Sequence, residues 1–134
     1  MVSANLVKTL REKTGAGMMD CKKALSNCNG NIEEAASWLR KEGLSKANKK
    51  AGRETLEGLV AIATNDQQNE SVIIELNSET DFVAKNEIFV SFAEDLSNLA
   101  LKSSINKVEE LKEIPFENSK VSDAIVDKIA TLGE

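Results

Sequence analysis

The apolar period of this chain changes to two from Gly58, and that change limits what it can fold into more than any other feature. Before Gly58, apolar residues recur at spacings of three and four, in runs separated by glycine-containing breaks. After it come two β-branched runs, 59–64 and 71–77, in which the period is two. A helical period does not fit a strand, nor the reverse, so the chain must join a helical part to a part that contains sheet. The predicted fold class is therefore α+β.

In the helical part, Leu6, Val7 and Leu10 share one face, with Ser3 or Asn5 available as a cap. Thr14-Gly15-Ala16-Gly17 breaks that run. Met18, Cys21, Ala24, Leu25 and Cys28 then line one face of a second helix, and Met19 falls off the stripe. Asn29-Gly30-Asn31 is a second break, and Asn31 with Glu34 matches a capping pair. Ile32, Ala35, Ala36 and Leu39 line a third helix, with Trp38 beside them as the expected anchor and Gly43 as the expected stop. Three short helices within 43 residues make a module near the lower size limit for independent folding. The basic stretch 45–53 has no large apolar residue and reads as a solvated connector, with nucleic-acid contact as the competing reading.

In the second part, the two runs flank the polar segment 65–70 and read as an antiparallel hairpin. An isolated hairpin is marginal in water and needs a cover. The stretch from Asn86 supplies one, because Phe89, Phe92, Ala93, Leu96, Leu99 and Ala100 recur at three and four, with Glu87, Glu94, Asp95 and Asn98 between them. Residues 108–114 form a further short helix ended by Pro115, and 122–132 another, with Ala124, Ile125, Ile129 and Leu132 as its apolar face. Two strands covered by helices make a thin domain, so the fold is expected to continue beyond this sequence.

Composition removes several chemistries. With no histidine, the chain lacks the usual general base and the usual Ser-His or Cys-His couple. Its two cysteines, Cys21 and Cys28, support neither a disulfide framework nor a common zinc pattern and read as small buried residues on a helix. Gly15-Ala16-Gly17 lacks the third glycine, lysine and preceding strand of a phosphate loop. No cofactor or metal is expected. No run approaches the ~20 apolar residues that cross a bilayer, and the first residues lack a signal-peptide pattern, so the chain reads as cytosolic with no membrane partner. Charge is uneven: residues 1–53 carry 11 Lys+Arg against 5 Asp+Glu, and residues 54–134 carry 6 against 17. The first part suits an acidic partner, while the second could not hold nucleic acid by charge.

Between hairpin and covering helix lies Thr80-Asp81-Phe82-Val83-Ala84-Lys85-Asn86, which puts an acid and a large aromatic together where a strand ends. From spacing, Phe82 reads as the first core residue of the next helix. If Asn86 caps the long helix, however, residues 80–85 form a separate turn and Phe82 faces outward. Both readings remain open on the residues alone.

Leu10-Arg11-Glu12-Lys13-Thr14-Gly15-Ala16-Gly17-Met18-Met19-Asp20-Cys21-Lys22-Lys23-Ala24-Leu25 closely resembles the elongation factor Ts family of guanine-nucleotide exchange factors. Thr80 to Asn86 is similar to that family's second signature, and Trp38 to Lys41 lies between the two. The resemblance implies a UBA-like three-helix module at 1–44, a basic linker at 45–56, and at 57–134 the first half of the family's core domain, a small antiparallel sheet packed by helices. It also implies a non-enzymatic role in translation elongation, with the GTPase elongation factor Tu as partner. Asp81 and Phe82, flanked by Thr80 and Val83, match the pair that intrudes on the partner's Mg²⁺ and phosphate region, and so promotes GDP release. Arg11, Met18 and Met19 match the contacts of the N-terminal module, with Met19 the stronger candidate because Met18 fits the internal stripe. Two alternatives stand beside this reading: a fragment that binds elongation factor Tu without full exchange activity, and a ribosome- or RNA-associated module acting through Lys46 to Arg53.

Overall fold

Ser3 starts the first helix, its hydroxyl accepting the Leu6 amide while its own backbone stays extended. In the computed structural model, which describes all 134 residues, helix α1 runs Ala4–Thr14, α2 Met18–Asn27 and α3 Ile32–Lys50. These belong to a compact unit made of Met1–Ala51 and Val126–Gly133; Gly52–Ile125 with Glu134 make a second. At the first break Gly15 takes φ 70°, the left-handed conformation that ends α1, and its N–H reaches the Arg11 carbonyl at 2.7 Å. At the second, the Asn31 side chain accepts from the Glu33 and Glu34 amides and donates to the Glu34 carboxylate, the predicted capping pair.

The core of this unit is Leu10, Leu25, Cys21, Ala24 and Ala35, all fully buried, with Val7 beside them. Burial pushes the Cys21 thiol up, against a lowering hydrogen bond from Thr14, so it remains a protonated packing group. Trp38 is only partly buried, with the Lys23 ammonium 5.5 Å from its ring centroid. It packs against the core instead of anchoring it, because the small residues around Leu10 and Leu25 already close the centre.

Gly43 does not stop α3, which passes through it to Lys50, so residues expected in the connector form the helix's last turns. A helical glycine is tolerated at a cost of about 1 kcal/mol relative to Ala, and here it is buried where an added Cβ would stand 3.4 Å from the Ala130 Cβ. Gly43 is thus a close-packing position. Lys49 and Lys50 lie in the last turn, where cations suit the helix dipole.

In the second unit, β1 (Glu57–Thr64) and β2 (Ser71–Ser78) pair antiparallel, with Leu59 opposite Leu76 and Ala61 opposite Ile74. Helix α4 (Asp81–Ala84) is one turn, and α5 (Glu87–Lys102) packs on both strands. Phe89, Phe92, Ala93, Leu96 and Ala100 are buried, as their spacing requires. The alternate residues Val60, Ile62 and Ile73 occupy the open face of the hairpin and are exposed.

Beyond α5 come α6 (Val108–Lys112), a small hairpin of β3 (Pro115–Phe116) and β4 (Ser119–Lys120), and α7 (Val121–Leu132). The small hairpin is not foreseen by the sequence reading. It forms because Phe116 packs edge-on against Phe92, ring centroids 6.0 Å apart, beside Val121 and Ala124. On α7, Ala124 is buried, while Ile125, Ile129 and Leu132 are partly so. No helix is long and apolar enough to cross a membrane.

Two substitutions test this packing. Gly58 has φ 144° and an added Cβ would lie 2.3 Å from the Leu76 carbonyl oxygen across the strand pair, so Gly58→Ala should destabilise the protein by about 2 kcal/mol or more in urea unfolding. Leu25→Ala should cost about 2–5 kcal/mol and exceed Trp38→Ala; the reverse order would put the core at Trp38.

Candidate functional site

Four residues that sequence reading singles out, Thr80, Asp81, Phe82 and Val83, are brought together on the short helix between β2 and α5. Thr80 is extended (φ −126°, ψ 156°) and its hydroxyl accepts the Val83 amide at 3.4 Å, capping α4. The helix ends after Ala84, where the Asn86 amide reaches the Val83 carbonyl at 3.0 Å. Asn86 then caps α5, its side chain accepting the Ile88 amide at 2.9 Å. Two caps six residues apart in sequence separate α4 from α5 and take Phe82 off the apolar stripe of the longer helix. Phe82 is 83 % exposed, against 6 % for Phe89 one helix later. The outward reading of Phe82 is the one the fold adopts.

The turn is held from several sides. Ser78, itself buried at the end of β2, donates its hydroxyl to the Thr80 carbonyl at 2.8 Å. Glu134 accepts from the Thr80 amide at 2.9 Å and from its hydroxyl at 2.6 Å. Arg53 pairs with Glu79 at 3.3 Å. Val83 and Ala84 are half-buried, so the turn presses one side onto the unit and displays the other.

Asp81 is exposed and paired with Lys85 at 3.0 Å, one helical turn on. The hydrogen bond and charge of Lys85 hold its carboxyl below the ordinary 3.8, helped by the backbone amides of the first turn. In the free protein the acid is thus ionised and occupied. No three His, Cys, Asp or Glu side chains converge to hold a metal.

Arg11, Met18 and Met19 lie in the first unit, and all three are exposed. Met19 is 75 % exposed, as its place off the stripe predicts, but Met18 is 52 % exposed and is not the packing residue its spacing suggests. It is the first residue of α2, directly after the Gly17 cap, where no preceding turn covers it. The basic stretch has internal partners: Lys46 pairs with Asp20 at 3.1 Å and Lys50 donates to the Gly133 carbonyl at 2.7 Å.

Some participants escape sequence reading. Lys85 is findable, because an acid and a lysine four apart on a helix signal an ion pair. Glu134 is not, lying 54 residues from Thr80 with no local pattern to connect them.

A three-helix UBA-like module followed by an α+β unit with a capped, aromatic-bearing turn defines the class of this protein. Residues 15–39 match the UBA/TS-N domain model and residues 79–134 the Elongation factor TS model. The chain is 52 % identical over 134 residues to an elongation factor Ts from Methylocella silvestris, covering 99 % of this chain and 43 % of that protein. Against one from Clostridium botulinum it is 50 % identical over 137 residues, covering 100 % of this chain and 45 % of the relative. The chain belongs to the elongation factor Ts family, to whose members it is similar along essentially its whole length. It spans less than half the length of these relatives.

The Asp81–Lys85 pair makes a sign-definite prediction. A depressed carboxyl favours the folded state above its unfolded pKa, and that contribution fades as pH falls through the folded value. Lys85→Met should return the Asp81 carboxyl toward its ordinary range in a side-chain NMR titration. An unmoved midpoint would show that Lys85 is not the cause.

Proposed function

We propose that this chain is the partner-engaging portion of a guanine-nucleotide exchange factor for elongation factor Tu, acting in translation elongation in the cytoplasm. The observation that carries the reading is the exposed Phe82 ring on a turn tied at both ends. A large apolar side chain held in water by hydrogen bonds around it gains free energy when a partner covers it. A merely misplaced core residue would not be secured in this way.

In the proposed mechanism Phe82 wedges between side chains of the GTPase, and Asp81 disturbs the hydrogen bonds and waters around its Mg²⁺. Mg²⁺ requires near-ideal octahedral geometry and bridges the nucleotide phosphates, so a modest disturbance of its surroundings weakens GDP without any bond being made or broken. Asp81 must first give up Lys85, and an exposed ion pair is weak enough to allow that. Thr80 and Val83 serve the display, one as cap and one as the half-buried footing of the turn. Binding linkage is reciprocal, so nucleotide rebinding releases the factor. The role is one of transferred affinity, with no catalytic residue and no cofactor of its own.

Arg11, Met18 and Met19 supply the second contact, methionine giving adaptable apolar surface and arginine a charged anchor. The exposure of both methionines supports using the pair together. An RNA-binding role for the basic stretch is disfavoured by the internal partners of Lys46, Lys50 and Arg53 and by the absence of interleaved aromatics. A second reading, binding to elongation factor Tu without driving exchange, is favoured by one observation: the chain spans less than half of its relatives.

Stopped-flow release of a fluorescent GDP from elongation factor Tu, with and without this chain, separates the two. The expected result is acceleration by the chain and, for Phe82→Ala, loss of that acceleration by about tenfold, equivalent to the ~1.4 kcal/mol of a modest aromatic hot spot. The melting curve of Phe82→Ala should match the parent, because the ring is exposed. Equal release rates for parent and mutant would remove Phe82 from the mechanism.

A further inference from the structure

Helix α4 has four residues, far below the length at which a helix holds itself together in water. The direction of Phe82 therefore depends on what restrains the turn from outside. Most of those restraints are local, from Ser78, Thr80 and Asn86. Arg53 adds an ion pair to Glu79, just before the turn, and one restraint acts on Thr80 from 54 residues away: the Glu134 carboxylate, in the same unit, takes both donors of Thr80, the amide on Oε2 at 2.9 Å and the hydroxyl on Oε1 at 2.6 Å.

A single carboxylate that accepts the backbone N–H and the side-chain O–H of one residue fixes that residue's backbone and its χ1 together. The consequence passes along the turn. A threonine hydroxyl has one proton and two lone pairs. With its proton committed to Glu134, its lone pairs are free to accept the Val83 amide, the cap bond of α4. Glu134 thus sets the polarity of the hydroxyl that starts the helix carrying Asp81 and Phe82. Acceptors that carry charge make the shorter and stronger bonds of this kind, and both contacts are partly shielded from water.

We propose that Glu134 is a positioning residue for the partner-engaging turn: through Thr80 it holds the orientation in which Phe82 is displayed. The functional half rests on the exchange reading above, whereas the restraint itself does not. Glu134 makes no hydrogen bond to Asp81 or Phe82, so its polar influence on the turn passes through the cap.

The test uses the full chain carrying Glu134→Ala, Glu134→Gln, Phe82→Ala and the double variant. By amide hydrogen exchange, Glu134→Ala should lower protection at Thr80 and Val83 about tenfold or more, with amides in the middle of α5 unchanged. Glu134→Gln, which keeps one acceptor oxygen, should restore part of it. In GDP release from elongation factor Tu, Glu134→Ala should reduce the acceleration severalfold, and it should have no further effect once Phe82 is alanine, because both changes act on one contact. Unchanged protection at Thr80 would overturn the restraint. Additive losses in the double variant would overturn its connection to Phe82. If the parent chain fails to accelerate GDP release, the exchange reading fails, and the amide measurement still decides whether Glu134 holds the turn.

Discussion

The second unit depends on one arrangement, helix α5 lying across a two-stranded sheet. Neither part is stable alone: a lone hairpin cannot bury enough surface, and a single amphipathic helix exposes its stripe. Packing Phe89, Phe92, Ala93 and Leu96 against the face that carries Ala61 and Ala63 solves both problems at once. The two alanines are small and buried on β1, which leaves room for the helix side chains that pack on it. Once α5 is seated, the end of β2 and the start of α5 are both fixed, and residues 79–86 must bridge them. The display of Phe82 is a consequence of that bridge.

Why the bridge does not simply continue α5 toward its N-terminus is explained by its polar residues. Thr80 and Asn86 each satisfy amides that the start of a helix leaves without partners, and each therefore favours a helix beginning after itself. Two such starts in one short segment cannot belong to one helix. A hydrophobic residue between them is removed from the longer helix's face, whatever its spacing suggests. Phe82 and Phe89 are seven residues apart, which on one uninterrupted helix would align them. The intervening cap makes one a core residue and the other a surface one.

The same logic separates what the sequence discloses from what it hides. Periodicity disclosed the helices, the hairpin and the stripe on α5, because each is set by burial of a regular face. It misled at Gly43, where glycine looks like a stop but serves close packing against Ala130, a contact 87 positions away that no window contains. It misled at Met18, which lies on the stripe by angle but at the first helical position, where there is no turn above it. Trp38 attracted the core assignment by size, whereas the centre is filled by leucine and small residues. The β3–β4 hairpin escaped because two-residue strands have no period, and only the Phe116–Phe92 contact explains them. Within the site, Thr80, Asn86 and Lys85 were open to local rules. Glu134 was not, since a tertiary hydrogen bond leaves no trace in spacing.

Presenting the turn and gaining affinity for a partner are separable physical problems. The hydrogen bonds that orient Phe82 come from Ser78, Thr80, Asn86 and Glu134, all within this chain, so the display is built from groups present here. Affinity is a matter of area: a standard interface buries about 800 Å² on each side, and a few central residues carry most of its energy while the remainder excludes water. One exposed ring and one acid on a single turn can supply the central residues but not the area. Arg11, Met18 and Met19, in the first unit, are exposed as well. Under the exchange role proposed above, orienting the turn and gaining affinity would therefore rest on different residues.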